Sequence, residues 1–410
     1  MKKVELLAPA GSLEKAKVAF MYGADAIYAG TAKLSLRTRA EMNIDTLEET
    51  IKYAHSLGKK VYVALNIYAR DNDYEEIEKE VAHLRDINAD AIILADGGVL
   101  EVVKRIAPDM EVHISTQANT VSLHTAKFWK SLGAKRVVLS RELTKEDFEY
   151  IMKNKPEGLE FEMFIHGAIC YAYSGRCYLS KYLNGRCANH GDCAQPCRWE
   201  YQLFAREKNN PDSIIELDSD DKGTYVFSSK DMCLIKQIPA ICEMGMDSLK
   251  IEGRLKTDYY LACVTRAYRA AIDAYYEDPE NFDYTKYLEE LEKVKTRGLS
   301  EFYFTDSNNQ DIHDYDGNSD NLKYEYAGRV KKVLEDGKVL IEIKNKLSNG
   351  DRLEVLDPKD ITKKEFVIKQ LYNDKTLEEQ DTVNPGIKGQ SIVLEIPYKV
   401  EEGYILRRKK

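Results

Sequence analysis

The amino-acid sequence predicts an α/β architecture: a (β/α)8, TIM-like barrel with a cysteine-rich loop, followed by a small antiparallel β-barrel domain. Three observations carry this. Short apolar runs alternate with amphipathic helical segments from Val4 to Arg254. The joint from a helix end into a strand recurs as YGADAIYAG at Tyr22, INADAIILAD at Ile87, LGAKRVVLS at Leu132 and MGMDSLKIEG at Met244. From about Leu322 the texture changes to alternating apolar and polar residues around hairpin turns. Repeated joints leading into strands apolar on both faces mean a parallel sheet. About eight such strands close most simply into a barrel. A doubly wound open sheet is the alternative, and neither a GxGxxG nor a Walker A sequence favours a nucleotide-binding form of it.

Taken in order, VELLAPA (Val4–Ala10) reads as a buried strand. SLEKAKVAFMYG follows as a helix capped by Ser12 and ended by Gly23. AIYAG (Ala26–Gly30), KVYVALN (Lys60–Asn66), AIILAD (Ala91–Asp96), EVHISTQAN (Glu111–Asn119), RVVLSREL (Arg136–Leu143) and LEFEMFIHG (Leu159–Gly167) are the next strands. The segments between them have apolar residues at the spacing of one helical face. After the cysteine-rich stretch a polar insert, residues 201–224, reads as a hairpin or excursion. DSLKIEGR (Asp247–Arg254) is the eighth strand, and TDYYLACVTRAYRAAIDAYY a long closing helix. The expected domains are a barrel over 1–300, a linker over 301–321 and a β-domain over 322–410. EDGK and SNGD are the hairpin turns of that last domain.

The N-terminal MKKVELLAPAGS has too short an apolar stretch for a signal peptide, and no segment nears the roughly 18 apolar residues of a membrane span. The expected location is the cytoplasm, with no membrane partner. A net charge of −9 argues against a protein that coats nucleic acid nonspecifically. A local basic face could still meet RNA, with Arg136, Arg141, Lys181, Arg186, Arg198 and the terminal Arg407-Arg408-Lys409-Lys410 as its candidates. Tyr171, Tyr173, Tyr178 and Tyr182 flank the cysteines and could stack on bases or pack the loop.

Glu162 to Trp199 holds Cys170, Cys177, Cys187, Cys193 and Cys197, five of the eight cysteines, with little that would build a regular helix. In a reducing compartment such clustering points to metal ligands or redox groups rather than disulfides. CxxxxxxC (Cys170, Cys177) followed by CxxxC (Cys193, Cys197) lacks the CxxC pairs of a zinc ribbon. Four thiolates at irregular spacing suit an iron–sulfur cluster, whose ligands span more space than those around one ion. Structural zinc stays the alternative. Cys187 is the odd one out, Cys233 could replace one of the four, and Cys263 is most simply core.

A barrel places its active site at the C-terminal strand ends. The residues expected there with chemistry to offer are Arg141, Glu142, His166, Lys250, Glu252 and Arg254. Converging Arg and Lys suit an anionic substrate such as a carboxylate or phosphate. An ion-pair layer closing the barrel mouth would use the same residues. His113 reads as a satisfied core histidine. No HExxH occurs, and Ser180 with His166 is the one nucleophile–base pair to suggest itself.

EMFIHGAICYAYSGRCYLS resembles the signature of the peptidase U32 (collagenase-like) family, through Glu162, Phe164, Gly167, Cys170, Gly175, Cys177 and Ser180. LLAPAG, SSKDMC and KIEGR agree as well, and the likeness spans essentially the whole chain. Within that family the architecture looks like that of the tRNA hydroxylation protein P group. That resemblance implies an iron–sulfur tRNA-modifying enzyme performing prephenate-dependent 5-hydroxylation of the wobble uridine. The 4Fe–4S ligands it implies are Cys170, Cys177, Cys193 and Cys197, with Cys233 as the alternative fourth. The partners implied are tRNA, prephenate and a paralogous family member. Prephenate carries two carboxylates, which Arg141, Lys250 and Arg254 would suit. The alternative functions are a U32-type peptidase, or a hydroxylase of another RNA or a small aromatic substrate.

Overall fold

The computed structural model describes residues 3–31, 34–36, 42–201, 203–207, 210–217, 228–305, 312, 323–385 and 390–410. The predicted linker over 301–321 and the end of the insert therefore lie mostly outside the described residues. The described residues form two compact units, one drawn from 1–13, 25–255 and 296–319, the other from 14–24, 256–295 and 320–410.

In the first unit seven parallel strands pair in chain order: β1 (Glu5–Pro9), β2 (Ala26–Gly30), β3 (Lys60–Leu65), β4 (Ala91–Leu94), β5 (Glu111–Ile114), β6 (Arg136–Val138) and β7 (Glu160–Ala168). The insert is an antiparallel hairpin of β8 (Leu203–Glu207) and β9 (Asn210–Leu217). The short β10 (Asp231–Cys233) runs antiparallel to the end of β7 and is not a barrel strand. The eighth barrel strand, β11 (Ser248–Ile251), pairs in parallel with both β1 and β7, so the barrel is closed. A two-residue β12 (Leu299–Ser300) extends β10.

The crossover helices α2 (Ile44–Ser56), α3 (Tyr74–Asp86), α4 (Gly97–Ile106), α5 (Leu123–Ser131) and α6 (Lys145–Lys153) show why these segments coil; α1 (Leu13–Met21) precedes them in the chain. In α2 the Asn43 side chain accepts the Thr46 N–H, and Leu47, Thr50, Ile51 and Ala54 make one buried stripe. Thr144 and Asp147 form a reciprocal capping box on α6. The cysteine stretch holds a short helix the sequence reading did not expect, α7 (Leu179–Asn184), ended by Gly185 at φ 72°. A short α8 (Ile238–Glu243) precedes β11.

Alternate strand residues point into the barrel. Leu7, Ala26, Tyr28, Tyr62, Ala64, Ala91 and Ile93 form an apolar cluster there. Beside it lies a buried charge network. Arg136 reaches Glu5 at 2.6 Å, Glu160 at 2.7 Å and Glu162 at 3.2 Å, while Lys250 reaches Glu162 at 2.8 Å. Arg136 was a candidate for an RNA-facing basic patch. It is instead 5% exposed, because three carboxylates on β1 and β7 draw it inward.

The second unit contains α9 (Asp258–Glu277), α10 (Thr285–Leu291) and an antiparallel eight-stranded sheet. Its strands are β13 (Tyr324–Val333), β14 (Val339–Ile343), β16 (Arg352–Asp357), β17 (Asp360–Val367), β18 (Leu371–Asn373), β19 (Glu379–Gln380), β21 (Ser391–Leu394) and β22 (Ile405–Lys409), with β15 (Leu347–Ser348) and β20 (Thr382–Val383) as a separate ribbon. The sheet order is β17-β16-β22-β13-β14-β21-β18-β19. No pairing joins its end strands β17 and β19 among the described residues. Arg407 is fully buried between Glu290 and Glu354, each at 2.6 Å, and Arg408 pairs with Glu325 and Asp351. The terminal basic run is therefore not a free cationic tail: its two arginines hold the sheet together, leaving only Lys409 and Lys410 exposed.

Candidate functional site

At the C-terminal strand ends the barrel opens into a cavity of about 320 Å³, within the range of small-molecule sites. Its floor is aromatic and cationic. Lys250 Nζ lies 4.3 Å from the Tyr28 ring centroid and 5.5 Å from that of Phe164. The Arg254 guanidinium lies 5.8 Å from the Tyr28 centroid, and that of Arg141 lies 5.1 Å from the Phe164 centroid. Two rings thus hold three cations together, an arrangement favourable where water is scarce. Gly30 makes room for one of them: a Cβ there would stand 2.1 Å from Arg254 Nη1. Arg254 also donates to Ser35 Oγ at 3.1 Å. Arg141 donates to the Ala168 carbonyl at 3.4 Å, and its buried Nε has no hydrogen-bond partner among the described residues.

Glu162 sits fully buried below Lys250. Burial alone would raise its pKa, but Lys250, Arg136 and His113 outweigh burial and hold it below the usual carboxylate range. The wall opposite β11 is polar: Asn66 donates to Gln117 Oε1 at 2.8 Å, and Ser115, Thr116 and Ser174 complete it. Glu252 is the one carboxylate among the described lining residues.

The cysteine loop forms the roof. Its anchors are specific. Glu142 accepts the Ser174 N–H at 2.6 Å and also bonds Ser140 Oγ, while Ser174 Oγ donates to Asn119 at 2.9 Å. Ser174 holds φ 49°, a conformation that needs such support in a side-chain-bearing residue. On the other side Arg176 donates to Tyr68 Oη and the Gln117 carbonyl, Asn189 accepts the Cys177 N–H at 3.0 Å, and His190 meets Asp73 at 3.0 Å.

Cys170, Cys177, Cys193 and Cys197 all line the cavity; Cys187 does not. The Cys197 thiol is pushed up chiefly by burial, lowered by Arg198, and raised again by the thiols of Cys170, Cys193 and Cys177. The Cys197 thiol therefore feels the other three sulfurs. Gln195 N–H donates to Cys193 Sγ at 3.3 Å, the kind of bond that supports an anionic sulfur. Among the described residues no three His, Cys, Asp or Glu side chains converge as ligands of a single ion. Four thiols lining one cavity are, in their chemistry, a donor set that an iron–sulfur cluster fits. Cys233 is buried on β10, opposite His166 in register, and does not line the cavity.

The other expected site residues divide. Arg141, Lys250, Glu252 and Arg254 line the cavity. Glu142 stands behind the wall as an anchor of the roof. His166 is 1% exposed on β7 and is not a lining residue, because the strand runs on past it to Ala168. Ser180 is also buried and accepts the Ala194 N–H at 3.0 Å, so it serves the loop's structure. His113 is buried, but neither ring nitrogen has a hydrogen-bond partner among the described residues; it lies edge-on to Tyr62 and 3.7 Å from Glu111. Sequence reasoning passed over Glu162 as a functional group. The available signal was an acid within a strand apolar on both faces, which requires a buried cation opposite it.

The chain matches the model of "Peptidase family U32" over residues 11–314 and that of "Peptidase family U32 C-terminal domain" over 323–407. It is 40% identical over 360 residues to tRNA hydroxylation protein P1 of Bacillus subtilis (strain 168), covering 87% of this chain and 84% of that protein. It is 36% identical over 446 residues to tRNA hydroxylation protein P of Escherichia coli (strain K12), covering 99% of this chain and 96% of that protein. A 23S rRNA 5-hydroxycytidine synthase of Escherichia coli (strain K12) is 32% identical over 370 residues, 88% of this chain and 53% of that protein.

Proposed function

The chain belongs to peptidase family U32, and from that membership and the chemistry of its cavity we propose that it is an RNA hydroxylase. The specific reading is prephenate-dependent 5-hydroxylation of the wobble uridine of tRNA, with a 4Fe–4S cluster on Cys170, Cys177, Cys193 and Cys197. The names of the relatives support the RNA and the hydroxylation. The observation that carries the rest is one cavity lined by four cations, Arg141, Arg176, Lys250 and Arg254, and four thiols.

Replacing C5–H of a uracil ring by C5–OH is a two-electron oxidation, and the oxygen donor is reduced by two electrons. A bound cluster would supply the redox-active metal for that exchange. Arg141, Lys250 and Arg254 bind the carboxylates of the co-substrate through charge-assisted hydrogen bonds. Tyr28 and Phe164 shield those bonds from water, which strengthens them. Glu252 Oε is the group in the cavity able to accept the proton leaving C5. The barrel holds these side chains before substrate arrives, because Lys250 and Arg254 are anchored to Glu162 and Ser35.

Deletion of the gene followed by mass spectrometry of tRNA nucleosides tests the reaction. Loss of 5-hydroxyuridine derivatives is expected; unchanged levels in a strain without a paralogue would sink it. Anaerobic purification with iron and sulfide assay tests the cofactor, and a colourless, zinc-loaded protein would overturn that part. The same preparation, assayed on gelatin, addresses the peptidase in the family's name, and no hydrolysis is expected.

A further inference from the structure

We propose that the outer face of the cysteine loop is a stacking platform for single-stranded RNA, built on Tyr178 and Tyr182; this rests on the RNA reading above. The two rings stand 74% and 73% exposed. They are four residues apart at α7, with centroids 6.4 Å apart and planes inclined by 33°. Residues at that spacing share one helical face. Tyr171, Tyr173 and Trp199 of the same loop are exposed as well. Large aromatic rings kept in water at one place mark an interaction surface rather than packing.

Charge selects the occupant. Residues 168–200 carry Arg176, Lys181, Arg186 and Arg198 against Asp192 and Glu200, a positive surplus in a chain of net charge −9. Lys181 lies between the two tyrosines in sequence and is exposed. Its ammonium donates to the Gly185 carbonyl at 3.1 Å, and no carboxylate among the described residues pairs with it. Aromatic faces interleaved with cations suit a polyanion with stackable bases. An acidic or apolar protein partner would have no use for both.

Position selects the form of RNA. Tyr178 is at once exposed and part of the cavity lining. A base stacked on it is adjacent to a base entering the cavity. A nucleotide drawn out of its stack leaves its neighbours without a partner, and an aromatic face at the rim replaces what they lose. A duplex buries its base faces and cannot use the platform.

The test uses the purified full chain and a short fluorescein-labelled RNA with a central uridine, single-stranded or annealed to its complement, read by anisotropy. The double variant Tyr178→Ala/Tyr182→Ala should bind the single strand at least about fivefold more weakly, since one stack is worth a kcal/mol or more. The double Phe variant should bind as the wild type does, because the ring and not the hydroxyl carries the contact. Duplex affinity and the thermal midpoint should not change, the side chains being exposed. Wild-type affinity in the Ala variant overturns the platform while leaving RNA hydroxylation standing if gene deletion still removes 5-hydroxyuridine. A wild-type chain that binds neither RNA overturns both.

Discussion

Lys250 Nζ donates to Glu162 Oε1 at 2.8 Å, and through Oε2 the same carboxylate accepts from Arg136 Nη1 at 3.2 Å. The cation at the cavity floor is therefore the upper end of a charge network running down the barrel interior. Its position is set by residues on β6 and β7 that no substrate touches.

Glu162→Gln removes the charge but keeps the shape, leaving Lys250 and Arg136 facing a neutral amide inside the barrel. Breaking a buried pair in this way costs about 3–5 kcal/mol. Urea denaturation monitored by circular dichroism should show that loss at neutral pH. An unchanged midpoint would mean that the network is not a stabilising one.

Acid should act through the same carboxylate and through Glu290. Against the opposing effect of burial, Arg266, Arg407 and Lys293 hold Glu290 well below the usual carboxylate range, as Lys250 and Arg136 do for Glu162. A depressed folded pKa contributes stability that is whole above about pH 4.5 and is lost as pH falls through the folded value. Thermal midpoints from pH 7 to pH 3 should fall mainly below 4.5. In Glu162→Gln the fall should be shallower.

The cluster assignment predicts a division among cysteines. Serine at Cys170, Cys177, Cys193 or Cys197 should remove most of the iron and sulfide from anaerobically purified protein. Serine at Cys187 or Cys233, neither of which lines the cavity, should leave both at wild-type levels. Iron lost from Cys233→Ser alone, with Cys197→Ser retaining it, would transfer the fourth ligand.

Glu142→Ala removes the acceptor of the Ser174 N–H and one partner of Ser140. The roof should loosen by about 1–3 kcal/mol, the cost of stranding buried donors. Hydrogen exchange over residues 170–199 should quicken while exchange in β1 to β6 stays as it was. Uniform quickening would point to a global defect instead.

Gly30→Ala places a methyl group where the Arg254 guanidinium now lies. Displacing one charged donor should weaken binding of the proposed co-substrate, prephenate, by about tenfold, the equivalent of one charge-assisted hydrogen bond. Isothermal titration with Gly30→Ala and Arg254→Met in parallel checks this, and the two variants should agree.

Local patterning carried much of this protein by itself. Helix–strand joints ending in Gly or Asn, and strands apolar on both faces, determine a parallel sheet because each strand must be covered twice. All eight barrel strands were legible for that reason, as was the change to antiparallel strands after Leu322. What a sequence cannot state is which polar residues meet across distant strands. Arg136 and Arg407 read as surface cations, yet carboxylates from other strands and from α10 draw them into the interior. His166 and Ser180 read as accessible chemistry, yet β7 and the loop bury them. The four thiols are separated along the chain by intervals that suit several cofactors. Only the closure of β11 against β7, and the anchoring of the loop by Glu142 and Asn189, bring them over the same cavity as Lys250. Secondary structure follows from neighbours in sequence; a site follows from neighbours in space, and closing the barrel is what makes them neighbours.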